Sequence, residues 1–158
     1  MKRINNLFEK VVSFENLYLA FMKSKKGTKN YESFKFSFNF ENEIIILQKE
    51  LIEQTYFPEK YRYFLIKDPK ERIISVASFR DRVVHHSIVN ILEPIYEKSF
   101  IFDSYATRKN KGTHKAIKKA QMYMKTNKWY FKSDISKYFD NINHDILMQT
   151  ISKKIKDK

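Results

Sequence analysis

Cysteine is absent from the 158 residues, which excludes disulfides, thiolate zinc sites and a cysteine nucleophile. Glycine occurs only at Gly27 and Gly112. That is too sparse for a P-loop or a glycine-rich dinucleotide loop, and each glycine marks a point where the backbone needs freedom. The longest unbroken apolar run, Leu17 to Met22, is far too short to cross a bilayer. No secretory apolar stretch follows Met1-Lys2-Arg3-Ile4-Asn5-Asn6, so the start reads as mature protein and the chain as soluble and cytoplasmic. Acidic residues are also few, 18 against 31 Lys and Arg.

What is present is aromatic and basic. Apolar residues make up 42% and aromatics 16% of the chain, enough for a folded core rather than a disordered tail. The formal charge is +13 and unevenly spread: Tyr105 to Lys158 carries 14 basic and 4 acidic residues, a net of +10. A basic surplus gathered in the last third points to a polyanion-binding surface, with nucleic acid the leading candidate. Genome-wide codon bias toward lysine is the plainer reading, but it does not explain the skew.

The spacing predicts a helix from Asn6 to Lys25 with Val11, Phe14, Leu17 and Phe21 inward. From Ser33 to Phe40 aromatics alternate at 34, 36, 38 and 40, which reads either as a strand or as a loop or helix lead-in. Glu41 to Gln54 reads as a helix with Ile44, Leu47 and Leu51 inward. Tyr61–Ile66 and Arg72–Ala77 are strand-like runs around Lys67-Asp68-Pro69-Lys70-Glu71, a hairpin signal. Ser78 is a good N-cap for a helix with Val84, Ile88, Ile91 and Ile95 as its apolar stripe, ended or kinked by Pro94. A helix from Thr113 to about Lys125 turns Ala116, Ile117, Ala120 and Met124 inward. A strand from Lys128 to Ile135 and a helix from near Asn143 follow. This order is α+β rather than a regular βαβ winding.

Asp134 is where chemistry could start. A carboxylate at the end of an apolar strand must meet a cation or stay wet, and such a group suits Mg²⁺, which favours oxygen ligands. The plainer reading is a strand-end Asp capping a turn. Asp140 and Asp145 lie near it in sequence without any assurance of convergence. His85, His86, His114 and His144 show no metal-ligand spacing.

The run from Phe131 through Ser133-Asp134-Ile135, Tyr138-Phe139-Asp140-Asn141-Ile142 and His144 to Leu147 resembles the first catalytic block of bacterial reverse transcriptases. Arg72 followed by Asp81-Arg82 is similar to the family's fingers block. Ser104-Tyr105-Ala106-Thr107-Arg108 through Gly112-Thr113-His114-Lys115-Ala116 is similar to the block after it. The three occur in family order over about residues 60 to 150. Phe79-Arg80-Asp81-Arg82-Val83-Val84-His85-His86 and Leu92-Glu93-Pro94-Ile95 most resemble the enzymes of diversity-generating retroelements, with retron and group II intron enzymes close by.

The resemblance implies an RNA-directed DNA polymerase, with residues 1–58 an N-terminal helical extension, 59–127 the fingers and 128–158 the start of the palm. It implies Asp134 as the catalytic metal-binding carboxylate, with the carbonyl of Ile135 as a second ligand and two Mg²⁺ ions in the complete enzyme. Arg72 with Lys67 or Lys70 would bind the incoming triphosphate, and Phe139 would crowd a ribonucleotide 2′-hydroxyl. Arg108, Lys111, Lys115 and Lys118 would contact nucleic acid. Each lysine also reads as a solvated surface group, and Phe139 as a core residue. The implied partners are an RNA template, a DNA primer and deoxynucleoside triphosphates, with an accessory protein as a further candidate and no membrane.

The departure from the family is in the carboxylates. The later aromatic-x-Asp-Asp motif has no counterpart, since no adjacent Asp pair occurs in these residues. The chain therefore reads as the N-terminal portion of such an enzyme, inactive alone. The alternatives are a non-catalytic RNA-binding remnant of the same fold and a basic helical module unrelated to polymerases.

Overall fold

The computed structural model describes residues 3–157. Its elements are α1 (Phe8–Val11), α2 (Phe14–Lys25), α3 (Tyr31–Phe38), α4 (Phe40–Ile52), β1 (Arg62–Ile66), β2 (Arg72–Val76), α5 (Phe79–Glu97), α6 (Thr113–Met124) and α7 (His144–Ser152). A 3-10 turn at Phe139–Asn141 precedes α7. The mix of helices with one antiparallel two-stranded sheet is the α+β arrangement expected. The chain divides into two compact units, Met1–Ile95 with Ile155–Lys158, and Tyr96–Lys154.

The first unit is built on a core of Leu17, Ala20, Phe21, Phe36, Ile44, Leu47, Phe79, Val83 and Val84. Phe21 is its hub. It stacks on Phe36 and Phe40 at 5.5 Å and meets Phe79 edge-on at 6.2 Å, geometries that aromatic quadrupoles favour. Buried polar groups are matched. Asn16 Nδ2 donates to the carbonyls of Val11 (2.9 Å) and Ser87 (3.0 Å), and its Oδ1 accepts from Asn90 Nδ2 (2.9 Å), joining α2 to α5. Near the chain ends, Asp157 accepts from the amides of Leu7 (2.6 Å) and Phe8 (2.9 Å).

Several expectations are corrected. The single helix from Asn6 is two, because Ser13 leaves helical geometry to cap α2, accepting from the amide of Asn16. The alternating aromatics form α3. Asn30 caps it by accepting from Ser33 N (2.9 Å), and the alternation then splits, Phe36 inward and Phe34 and Phe38 outward. On α5 the buried face is Phe79, Val83, Val84 and Ser87, while Ile88 is exposed. The hold of Asn16 on Ser87 goes with this rotation. Pro94 does not end α5. It removes one bond, to the carbonyl of Asn90, and only three helical residues follow.

Tyr96–Lys154 differs more. α6 forms, but Ile117, Ala120 and Met124 are exposed and Ala116 is only half-buried, because nothing packs on that face. The strand from Lys128 to Ile135 is absent among the described residues, and the segment is irregular and exposed. A strand exists only by hydrogen bonding to a neighbour, and the sole described sheet is the hairpin. α7 starts as expected, with Asn143 accepting from Ile146 N at 3.1 Å.

Candidate functional site

The hairpin pairs Arg62 with Val76 through Ile66 with Arg72. That register sets Arg72 beside the turn carrying Lys67 and Lys70, so three expected phosphate contacts share one exposed end. The base of the hairpin is anchored at Asp81, which is buried. Its carboxylate accepts from Tyr56 Oη and from Glu59 N (3.0 Å), and its amide donates to Ser78 Oγ (3.1 Å). Burial, and then the bond to Asp81, push the Tyr56 phenol well above its ordinary value. Glu32 adds a second tie: it accepts from Phe79 N (3.1 Å) and pairs with Arg62 (3.2 Å). Sequence reasoning missed Tyr56 and Glu32 as hairpin anchors, since both lie far from their partners in the chain.

In Tyr96–Lys154 the basic loop is stapled by Arg108. Its Nε and Nη2 grip the Glu97 carboxylate (3.0 and 2.6 Å), and its Nη1 donates to the carbonyls of Ile101 (2.7 Å) and Ser104 (3.0 Å). The Arg108 hydrogen bond holds Glu97 below the usual carboxylate range. The guanidinium donors are thus largely spent inside the loop. Gly112 closes it at φ +96°, donating its N–H to the carbonyl of Tyr105 (3.1 Å). A side chain is strained at that φ.

Lys111, Lys115 and Lys118 line one groove of about 490 Å³ together with Phe102, Tyr105 and Lys119. Lys111 Nζ lies 3.6 Å from the Phe102 ring centre and 5.2 Å from that of Tyr105. It also donates to the Phe102 carbonyl (2.7 Å), and Lys115 donates to the Asn110 carbonyl (2.6 Å). Asp103 accepts from Tyr105 (2.8 Å) and Tyr123 (3.0 Å), bonds that hold its carboxyl low, and Lys119 approaches it at 4.0 Å. Cations over aromatic faces on a solvent-open groove suit phosphate and base contacts together.

Asp134, Ile135 and Phe139 lie on the exposed segment before α7. Trp129 and Phe131 there are 92% and 91% exposed. Asn141 Nδ2 ties the following turn by donating to the carbonyls of Ser136 (3.3 Å) and Lys137 (3.1 Å). Among the described residues no three His, Asp or Glu side chains gather to hold a metal ion. Asp134 alone is short of a metal site, and Asp140 and Asp145 do not complete it. The hairpin cations belong to one compact unit, and the groove lysines, Asp134 and Phe139 to the other.

The reverse transcriptase (RNA-dependent DNA polymerase) family matches residues 66–157, from the last residue of β1 through the groove and Asp134 to beyond α7. The chain belongs to this family, whose members depend on divalent metal ions. It is 32% identical to the group II intron-encoded protein LtrA of Lactococcus lactis subsp. cremoris over 92% of the chain and 24% of LtrA. It is 30% identical to protein YkfC of Escherichia coli (strain K12) over 73% of the chain and 32% of YkfC. A third relative, nuclear intron maturase 1 of Arabidopsis thaliana, is 32% identical over 51% of the chain and 11% of its own length. The chain thus spans a third or less of these relatives. None of the described helices is long and apolar enough to cross a membrane.

Proposed function

We propose that this chain supplies the fingers and the beginning of the palm of an RNA-directed DNA polymerase that copies RNA onto a DNA primer from deoxynucleoside triphosphates in the cytoplasm. The observation that carries the reading is the family match over residues 66–157, which takes in the Arg72 strand, the lysine groove and Asp134 in one span. The proposed divisions are 1–58 for the helical extension, 59–127 for the fingers and 128–158 for the palm.

In this reading Arg72, Lys67 and Lys70 receive the triphosphate at the hairpin end, where guanidinium geometry matches two phosphate oxygens at once. Lys111, Lys115 and Lys118 follow the nucleic-acid backbone along their groove. Arg108 is a positioning residue: its donors hold the loop that presents those lysines. Phe139 stands where an aromatic ring would crowd a 2′-hydroxyl. Asp134, with the carbonyl of Ile135, is the first contribution to a Mg²⁺ site that needs further carboxylates. The relatives named are intron-encoded or intron-maturing proteins, while residues 79–95 resemble the diversity-generating type. We therefore place the parent enzyme among retroelement polymerases without choosing the branch.

The test begins with the coding DNA beyond Lys158. If the frame runs on to an aromatic-x-Asp-Asp motif, the encoded protein should extend a DNA primer on an RNA template in Mg²⁺, and Asp134→Ala should reduce extension to background. The 158-residue chain by itself should bind RNA without extending a primer. Extension that survives Asp134→Ala would sink the catalytic assignment. The second reading, a non-catalytic RNA binder, draws on the lack of any companion carboxylate for Asp134 among the described residues. It requires a natural stop after Lys158 and RNA affinity indifferent to Asp134→Ala.

A further inference from the structure

The helix α3 lies outside the span matched by the family, and it is apolar on both sides. Ser33 and Phe36 are buried. On the opposite side Tyr31, Phe34 and Phe38 are 79%, 71% and 86% exposed, at i, i+3 and i+7, which places them on one helical face. Large exposed aromatics in a row are unusual on a soluble surface and mark an interaction site. These three line a groove of about 600 Å³ with Lys25, Thr28 and Lys29.

The charge around the groove says what covers it. From Lys23 to Phe38 there are five lysines and one acid, Glu32. Glu32 is occupied by Arg62 and by the amide of Phe79. Lys25, Lys26, Lys29 and Lys35 are exposed, and among the described residues none is in an ion pair. A protein surface seated here would have to satisfy these cations around an aromatic strip. A single strand of nucleic acid offers both a polyanionic backbone and bare base faces. The rise from Tyr31 to Phe38 is about 10 Å, roughly three steps of a stacked strand.

We propose that α3 and the basic loop before it form a stacking platform for single-stranded RNA. Tyr31, Phe34 and Phe38 carry the bases, and Lys25, Lys29 and Lys35 carry the phosphates. The platform is separate from Asp134 and from the lysine groove of residues 102–122, and it does not rest on the polymerase reading.

The test uses the full 158-residue chain and two labelled probes, a mixed-sequence 20-nucleotide RNA and the duplex of the same sequence, with binding followed by fluorescence anisotropy. The triple variant Tyr31→Ala, Phe34→Ala, Phe38→Ala should lose about tenfold or more in affinity for the single strand, since each lost stack is worth up to about that factor. Its duplex affinity should stay unchanged, because a duplex hides its base faces. The variant Lys25→Gln, Lys29→Gln, Lys35→Gln should flatten the salt dependence for the single strand by about two units of slope, at roughly 0.7 per phosphate. All substituted side chains are exposed, and circular dichroism verifies that the helices persist. Single-strand affinity unchanged in the aromatic variant overturns the proposal, as does equal loss for strand and duplex. Self-association of the free chain that disappears in the aromatic variant would assign the face to a second copy and overturn it as well.

Discussion

In Met1–Ile95 the side chains of Leu17, Ile44, Leu47 and Val83 are wholly buried, and asparagine and serine groups inside are hydrogen-bonded to backbone carbonyls. In Tyr96–Lys154 no residue is buried at all, although Trp129, Phe131, Ile135 and Phe139 are as apolar as anything in the core. Polar staples hold that second unit: Arg108 on Glu97 and the loop carbonyls, Tyr123 on Asp103, Tyr96 on the Ile151 carbonyl. The difference teaches that apolar content does not make a core. Burial requires two apolar faces to meet, as the α2 and α4 stripes do with α5, and the segment from 128 to 135 has no strand beside it.

The sharpest way to break this comparison is to delete an apolar side chain from each unit. Leu47→Ala should cost about 2–5 kcal/mol in urea unfolding because it leaves a cavity in a closed core, whereas Phe139→Ala should stay within about 0.5 kcal/mol. Equal losses would mean that the second unit has a core after all. Next in size is Tyr56→Phe, which leaves the buried Asp81 carboxylate one donor short and should cost about 1–3 kcal/mol by the same measurement. Restoration of stability by Asp81→Asn in that background would sharpen the assignment.

Arg108→Ala should act locally. Hydrogen exchange across residues 101–112 should speed up roughly tenfold, while the amides of α2 and α4 keep their protection. Loss of protection in both units would contradict the division. The smallest effect is the pH response of His86, whose burial, followed by Lys23, Arg82 and His85 nearby, lowers its pKa from the ordinary 6.5. The neutral form is the one the folded state favours. Its contribution is therefore full above 6.5 and is lost as pH falls from there through the lower folded value. The thermal midpoint should decline over that window in the parent, and His86→Gln should flatten the decline.

Much of this was legible in the residues. The hairpin came from two β-rich runs around Asp68-Pro69, the start of α5 from Ser78, and that of α7 from the spacing around Asn143, because caps and turns are local chemistry. The lysines of the 111–118 stretch do share a groove, since helical spacing puts them on neighbouring positions. Other features depended on distant partners. The rotation of α5 goes with the grip of Asn16 on Ser87, 71 residues away. Asp81 reads in sequence as a helix-start residue, yet it is the buried joint on which Tyr56 and Glu59 converge. Arg108, expected at the nucleic acid, is bound within its own loop.

By itself the sequence determined the family, the basic charge of the last third, and which stretches turn or begin a helix, all properties carried by near neighbours along the chain. Only the tertiary structure decided which apolar faces close into a core and which aromatic stripes stay open. Burial is a transaction between segments, and no segment's own composition states whether its counterpart is in place. Residues 31–38 show this in one helix, with Phe36 shut inside and Phe34 and Phe38 left to the solvent.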